Sequence, residues 1–316
     1  MGDRTGRQGV TTFPEVSPIR GRRVAANLAC VTSMVIWAIG FPVADDLLKT
    51  LPPLVVVGFR TVLGSFALLP IWWLLEGWHA IRRADWRTGL WIGALGFGTG
   101  TAALIYAQKL TDGITVSVIL ATMPLAAIAL ECLLDGRRLG WRLVAGVVLS
   151  LIGGIAVYAL RMGTFQPGLG AGFALLSVLG FAWGSRATVL SLPGHSAIGR
   201  TAITLIGAGL AVGGALLLST LLTGRPIPWA AMGAKEWIYI LIYGVGSMAL
   251  SQTFFIIGVA GLGIAIASMH LNIAPFYVML FSLAFGASWD WWQVLAAAVV
   301  VAGVALAQTG EVRRAP

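Results

Sequence analysis

The stretch from Trp237 to Trp289 contains no Asp, Glu, Lys or Arg over 53 residues. A helix needs about 20 apolar residues to cross the hydrocarbon core of a bilayer, so this stretch is long enough for two crossings. We expect the turn between them near Gly258, Gly261 and Gly263, because glycines mark turns. A stretch of this kind predicts an integral membrane protein.

The composition of the whole chain supports the same class. Hydrophobic residues make up 58% of the 316 positions and charged residues only 10%, whereas a soluble domain has about 25% charged residues. Too few charged side chains are therefore available to cover a soluble globule. The 41 glycines are also typical of membrane helices, which approach one another closely through small residues.

Charge-poor stretches of about 20 residues recur along the chain. They predict an all-α integral membrane protein with ten transmembrane helices. The predicted spans are 25–43, 54–75, 88–108, 113–133, 141–160, 168–190, 199–222, 237–257, 263–284 and 290–309.

The basic residues predict the orientation. With a cytoplasmic N-terminus, the cytoplasmic segments hold 15 of the 21 Lys and Arg residues and the outer segments hold five. This positive-inside bias predicts an N-in, C-in topology with cytoplasmic tails at 1–24 and 310–316. We expect no signal peptide, because no small-residue cleavage site follows the first apolar run. The basic residues lie between spans rather than on one helix face, so nucleic-acid binding is not expected.

Two segments of the chain share a pattern. Residues 113–124 read GITVSVILATMP and residues 263–275 read GIAIASMHLNIAP, and each reaches a proline in mid-span. Tryptophans recur at similar offsets, which run from about 146 to 151 residues. We therefore predict two five-helix repeats, 25–160 and 161–309. Because five is odd, the second repeat is inverted, as in many secondary transporters that bind solute between their halves.

The sequence resembles the ten-helix EamA-type carriers of the drug/metabolite transporter superfamily, from about Ala25 to Gln308. The most specific motifs are the segment that begins at Trp37 and reads WAIGFP, Leu51-Pro-Pro and Gly58-Phe-Arg60. Where the family has a Gly-Glu-Arg turn after the proline-containing span, this chain has Asp-Gly-Arg at 135–137 and Gly-Ala-Ser at 286–288.

The resemblance implies a multi-pass secondary transporter in the cytoplasmic (inner) membrane of a bacterium. Its partners are then a small-molecule solute and the lipid bilayer, and it is a monomer or a homodimer. Export of neutral or zwitterionic amino acids, aromatic or hydrophobic ones included, is the favoured function, with the YddG type of exporter as the preferred neighbour. Uptake, multidrug export, export of another metabolite and an intramembrane enzyme remain alternatives.

Neither an enzyme nor a cofactor or metal site is expected from the motifs. The sequence has no HExxH, GxSxG or P-loop, and its two cysteines, Cys30 and Cys132, suit apolar packing. No Asp or Glu lies near the middle of a predicted span. Because exporters of organic cations need such an acid, we expect a neutral or zwitterionic solute.

Two tryptophans lie inside spans, and eleven lie at or near span ends. Trp37 in the first span corresponds roughly to Trp183 in the sixth, so the two are candidate aromatic walls of a solute path. An indole N–H at this depth needs a partner. Core packing explains both residues equally well.

The other candidate residues are polar groups and prolines in spans. Arg60, about seven residues from the outer end of the second span, either snorkels to the surface or binds a solute carboxylate. Three of the remaining polar candidates face the cavity or serve as interhelical hydrogen-bond partners. The two that precede Pro275 face the cavity or satisfy the backbone carbonyl that this proline frees, and the mid-span prolines are candidate hinges. These are Thr101, Tyr106, Gln252, His270 and Asn272, with Pro124 and Pro275.

Overall fold

The computed structural model describes residues 18–110, 119–120, 122–136, 139–159, 168–283, 289 and 291–309. Within these residues the chain is helical and contains no strand. Its helical segments, with short π- and 3₁₀-helical turns counted inside them, are α1 (Pro18–Thr50), α2 (Pro53–Arg82), α3 (86–110), α4 (Met123–Asp135), α5 (Trp141–Ala159), α6 (Leu169–Ser191), α7 (Ala197–Thr223), α8 (234–262), α9 (264–283) and α10 (Trp291–Thr309).

Six of the helices are long and apolar enough to cross a membrane, namely α1, α2, α3, α6, α7 and α8. Shorter apolar helices lie in α5, α9 and α10. Every one of these helices overlaps a predicted span, so the all-helical membrane class is confirmed. That ten helices cross the bilayer with both termini inside stays a prediction.

Local signals in the sequence end several helices. The side chains of Asp85 and Ser196 accept hydrogen bonds from the first turns of α3 and α7. Gly263 adopts a positive φ of 77° between α8 and α9, a conformation that favours glycine. The predicted turn lies at this residue alone. Gly258 and Gly261 are instead inside α8, where their lack of a side chain leaves room for Cys30 and Ala26 of α1.

The helix contacts repeat between the two halves of the chain. The most extensive contacts join α5 to α10, α2 to α7, α1 to α8 and α3 to α6. A two-fold axis that exchanges the halves superposes α1 on α6 and α8 on α3, so the α1–α8 and α3–α6 contacts are equivalent. The same axis exchanges the two members of the α5–α10 pair and of the α2–α7 pair, so each of these contacts is its own equivalent. The contact pattern is therefore that of two repeats related by an approximate two-fold axis.

Glycines set the closest helix crossings in both halves. A side chain on Gly64 of α2 would collide with the carbonyl of Gly244 in α8, and one on Gly93 of α3 would collide with the carbonyl of Thr204 in α7. Each crossing lies in a π-helical turn, Gly93–Gly98 in α3 and Ile242–Leu250 in α8. π-Helical turns are frequent at functional sites, and these two hold residues of the cavity described next.

Candidate functional site: a central cavity between the two halves

A cavity lies at the centre of the helical bundle. Its volume is about 80 Å³, below the range of about 300–1,000 Å³ for drug-sized ligands, so this conformation has room only for a small solute. None of the described side chains of α5 and α10 lines it. It is lined by Ser33, Met34, Trp37, Arg60, Phe97, Thr101, Leu104, Leu120, Met123, Val178, Phe181, Ser185, Leu205, Ser247, Met248, Ser251, Gln252, Phe255 and Leu271.

Most of the lining forms pairs that obey the approximate two-fold axis. Corresponding lining residues of α3 and α8 are 151 positions apart in the sequence, and so are Leu120 and Leu271. The α3–α8 pairs are Phe97 with Met248, Thr101 with Gln252, and Leu104 with Phe255. The cavity therefore lies on the axis, between equivalent faces of the two repeats.

The predicted pairing of Trp37 with Trp183 is wrong. Trp37 lines the cavity, but Trp183 lies in a separate surface groove with Arg87, Trp91 and Arg186. The offset between α1 and α6 is 144 residues, so Phe181 holds the position that corresponds to Trp37. Trp183 lies two residues after Phe181, and two residues turn a helix by about 200°. Trp183 is therefore on the opposite face of α6.

Among the described residues that line the cavity, Arg60 is the one that carries a charge. Its side chain is only 5% exposed, so it does not snorkel to the surface. The guanidinium carbon lies 4.0 Å from the centre of the Tyr243 ring, a cation–π contact worth about 2 kcal/mol where it is desolvated. Its Nε is buried without a hydrogen-bond partner, and no carboxylate in the described residues pairs with it.

Several polar groups of the cavity are engaged in holding α1 against α8. The Ser33 hydroxyl donates to the carbonyl of Ser251 at 2.8 Å, and the Ser247 hydroxyl donates to the carbonyl of Trp37 at 2.9 Å. In contrast, Gln252 Nε2 and Ser185 Oγ are buried without a partner. Buried polar groups normally have one, so these two atoms are available to a solute.

Three predicted candidates lie away from the cavity. Tyr106 is 39% exposed and packs on Phe173, with ring centres 5.9 Å apart. His270 and Asn272 are buried, but they contact Asn27 of α1 and Ser150 of α5. Leu271 lines the cavity in their place, because adjacent helical residues point about 100° apart.

Both candidate hinge prolines follow an interruption of their helix. Before Pro124, Thr122 forms a turn and its hydroxyl donates to the Ile119 carbonyl at 2.6 Å. Before Pro275, residues His270–Ile273 form a 3₁₀-helical turn. The two interruptions occupy equivalent places in the repeats. That they bend during transport stays a prediction.

Ion pairs join the two halves outside the cavity. Lys235 of α8 lies 2.5 Å from Asp46 of α1. Arg186 of α6 forms a two-pronged pair with Asp135 of α4, one contact being 2.8 Å. In the predicted topology the first pair lies at the outer end of the molecule and the second at the inner end. The sequence alone gave no sign of either pair, because the partners are far apart in the chain.

The family model of the EamA-like transporter family matches the sequence twice, over residues 24–159 and 168–309. The chain belongs to the EamA-like transporter family. The resemblance to EamA-type carriers is thereby confirmed, and the chain is a multi-pass membrane transporter of small solutes rather than an enzyme. The two matches also agree with the two-fold arrangement of the helices.

Comparison with known proteins adds the fold of a relative. No curated protein matches the sequence. A solved crystal structure is similar with a TM-score of 0.74 and 21% sequence identity, over 93% of this chain and 100% of the other. At this identity the likeness shows a shared fold and carries no information on the solute.

Proposed function

We propose that this transporter exports small zwitterionic solutes, amino acids above all, by alternating access through the central cavity. Arg60 binds the solute carboxylate in this proposal. The observation that carries it is the buried guanidinium of Arg60, which lines the cavity and lacks a carboxylate partner among the described residues. An unpaired buried charge costs several kcal/mol, and an anionic solute removes that cost.

The rest of the lining suits an amino acid. Aromatic and aliphatic side chains from both halves, such as Trp37, Phe181 and Leu104, provide apolar walls for a hydrophobic side chain. The hydroxyl of Ser185 is an acceptor for an ammonium group, and the amide N–H of Gln252 is a donor for the carboxylate. No Asp or Glu is among the lining residues that the structure describes, which disfavours solutes with net positive charge.

The two ion pairs between the halves support alternating access. Opening either end of the cavity separates elements of the first half from elements of the second. Asp46–Lys235 and Asp135–Arg186 each join such elements, so one pair opens while the other closes. The helix interruptions before Pro124 and Pro275 supply bending points in each half.

A counterflow screen in proteoliposomes tests the proposal. Vesicles loaded with one unlabelled solute are diluted into the labelled form, with amino acids, sugars and nucleobases tested in parallel. We expect accumulation of amino acids with hydrophobic side chains and none of sugars or nucleobases. Accumulation of uncharged solutes alone would contradict the proposal. Vesicles with Arg225→Gln protein, which lacks an exposed arginine outside the cavity, are the matched control for the loss of an arginine in the Arg60→Gln variant.

The remaining predictions place the transporter in a bacterial cytoplasmic membrane as a monomer or a homodimer. Both follow from the family resemblance, and the cavity is built within one chain. We therefore expect the single chain to contain the complete solute path. Vesicles reconstituted at less than one dimer per vesicle test this point: flux that persists per chain supports it, and flux lost at that dilution contradicts it.

A further inference from the structure

The surface groove that contains Trp183 lies between α3, α6 and α7 and shares no lining residue with the central cavity. Its volume is about 1060 Å³, above the range of about 300–1,000 Å³ for drug-sized ligands, so it has room for a larger molecule. The backbones of α3 and α6 meet at Gly96 and Gly184, between the groove and the cavity. The groove is lined by Arg87, Thr88, Leu90, Trp91, Ile92, Ala94, Trp183, Arg186, Ala187, Ser191, Gly207, Leu210 and Ala211.

The chemical character of the lining changes along the groove. Its polar residues lie at the end where α3 begins and α6 ends, namely Arg87 and Thr88 of α3 and Arg186 and Ser191 of α6. The other described lining residues are apolar or aromatic. They extend to the exposed Leu210, which lies about 20 Å along α7 from its start at a rise of about 1.5 Å per residue. One end of the groove is therefore charged and the rest is apolar.

An arginine and a tryptophan lie on the same face of both α3 and α6. Arg87 and Trp91 are four residues apart, and Trp183 and Arg186 are three residues apart, spacings that bring two side chains together on a helix. The two helices are antiparallel, since α3 begins and α6 ends at the same end of the groove. Each pair therefore has its arginine near that end and its indole about one turn deeper.

The positive charge at this end is only partly offset. Arg87 is exposed and forms no ion pair with a described residue. Arg186 donates to Asp135 through Nε and Nη2, and its Nη1 makes no hydrogen bond in the part of the chain that the structure describes. Asp85, close to Arg87 in sequence, accepts from the Thr88 N–H. No described Asp or Glu lines the groove, so its charged end suits an anion.

The other half of the chain shows that the fold does not require these side chains. The registers of 151 residues between α3 and α8 and of 144 between α1 and α6 give the equivalent positions. They are occupied by Ile238, Ile242, Ile39 and Pro42, none of which has a charge or a side-chain N–H. The helix packing repeats in both halves, so it explains neither the arginines nor the indoles of the groove.

We propose that the surface groove binds an anionic phospholipid of the surrounding bilayer. The phosphate lies between Arg87 and Arg186, because guanidinium groups bind phosphate oxygens through paired N–H donors. Trp91 and Trp183 lie where the head group gives way to the acyl chains, a level at which indoles are favoured. In the predicted topology this end is cytoplasmic, the side on which basic pockets between helices bind anionic head groups.

The bound lipid joins the two halves of the chain, since Arg87 belongs to the first half and Arg186 to the second. A ligand that binds only the folded protein stabilises it by mass action, so the lipid should raise the melting temperature. The inference depends neither on solute binding at Arg60 nor on the direction of transport.

Thermal unfolding in detergent tests the head-group preference. Delipidated protein is titrated with phosphatidylglycerol or with phosphatidylcholine of the same acyl chains, and we expect only the anionic lipid to raise the melting temperature. Arg87→Gln should need at least about tenfold more phosphatidylglycerol for the same rise. Arg83→Gln, which removes an exposed arginine outside the groove lining, is the matched control. Equal stabilisation by the two lipids, or equal behaviour of the two variants, would overturn the proposal.

A parallel titration with inorganic phosphate separates a lipid site from a site for a free anion. Phosphate supplies the charge without the acyl chains, so it should give little of the stabilisation. Full stabilisation by phosphate alone would contradict a lipid site.

Photo-crosslinking locates the bound lipid in proteoliposomes. Phosphatidylglycerol with a diazirine in its acyl chain should label peptides that contain Trp91 and Leu210, and mass spectrometry identifies them. Arg87→Gln should lose most of this labelling, whereas Arg83→Gln should keep it. Labelling spread evenly over the exposed faces of the helices, and unchanged in Arg87→Gln, would show that the groove holds no bound lipid.

Discussion

The two halves of this transporter have the same backbone arrangement and different cavity chemistry. Residues 151 positions apart in α3 and α8, and 144 apart in α1 and α6, line equivalent faces of the cavity. Yet the first half supplies Trp37 where the second supplies Phe181, and no described lining residue of α7 matches the charge of Arg60 in α2. We propose that the common backbone serves a symmetric exchange between inward and outward states, and that the unequal side chains give a solute one preferred orientation.

The largest expected effect tests whether the backbone crossings are equivalent. Gly64 lies against the Gly244 carbonyl and Gly207 against the Leu90 carbonyl, so Gly64→Leu and Gly207→Leu force helices apart. Each should cost at least about 1–3 kcal/mol and remove most folded protein. Size-exclusion chromatography in detergent measures the folded fraction. Gly172→Leu, at a position with nothing within 4 Å, is the control, and one tolerated crossing would break the equivalence.

The next effect concerns the aromatic walls. Trp37→Ala and Phe181→Ala should each lower counterflow about tenfold, equivalent to about 1.4 kcal/mol, because both rings line the cavity. Trp183→Ala should leave counterflow near the wild-type rate, since its ring lies in the separate surface groove. Folded protein is quantified for all three variants. A loss in Trp183→Ala as large as in Phe181→Ala would restore the original pairing of the two tryptophans.

These aromatic residues also show what could be predicted from the sequence. Helix positions were predictable because a charge in the bilayer is costly, so charge-poor stretches mark the spans. Trp37, Arg60, Thr101 and Gln252 were predictable as lining because polar or indole groups in a span need a partner. Phe181 carries no such signal, and only the 144-residue register of the helices distinguishes it from Trp183.

Other site residues could not be placed without the packing. His270 and Asn272 have the same polar signal as Gln252, but the 3₁₀-helical turn at His270–Ile273 directs Leu271 toward the cavity. Trp72, one of the eleven tryptophans at or near span ends, is only 1% exposed. The face that a helix presents depends on its neighbours, and one sequence does not specify them.

A smaller effect should come from the prolines. Pro124→Ala and Pro275→Ala restore a backbone donor and should slow turnover about threefold while solute affinity changes little, because they act on a gating step. Steady-state efflux gives turnover, and solute-protected thermal melting gives affinity. Pro70→Ala, in the described α2 away from the cavity lining, is the control. If turnover were unchanged in both variants, the two prolines would fix static kinks and would not act as hinges.

The smallest effect concerns the ion pairs. The Asp46 and Lys235 side chains are 31% and 58% exposed, and exposed pairs contribute at most about 1 kcal/mol. Asp46→Asn should therefore change efflux about twofold or less. Asp135→Asn removes the two-pronged partner of the less exposed Arg186 and should have the larger effect. The reverse order in efflux assays would mean that the outer end limits the cycle.

The central claim is that the cavity binds a carboxylate at Arg60 of α2 and not at Leu205, a lining residue of α7. The direct measurement compares counterflow of an amino acid with that of its amide, in wild type, Arg60→Gln and Leu205→Met. Because a hydrogen bond to a charged group contributes about 1.5–3 kcal/mol, wild type and Leu205→Met should prefer the acid at least about tenfold. Arg60→Gln should transport acid and amide equally. An acid preference that survives in Arg60→Gln would contradict the claim.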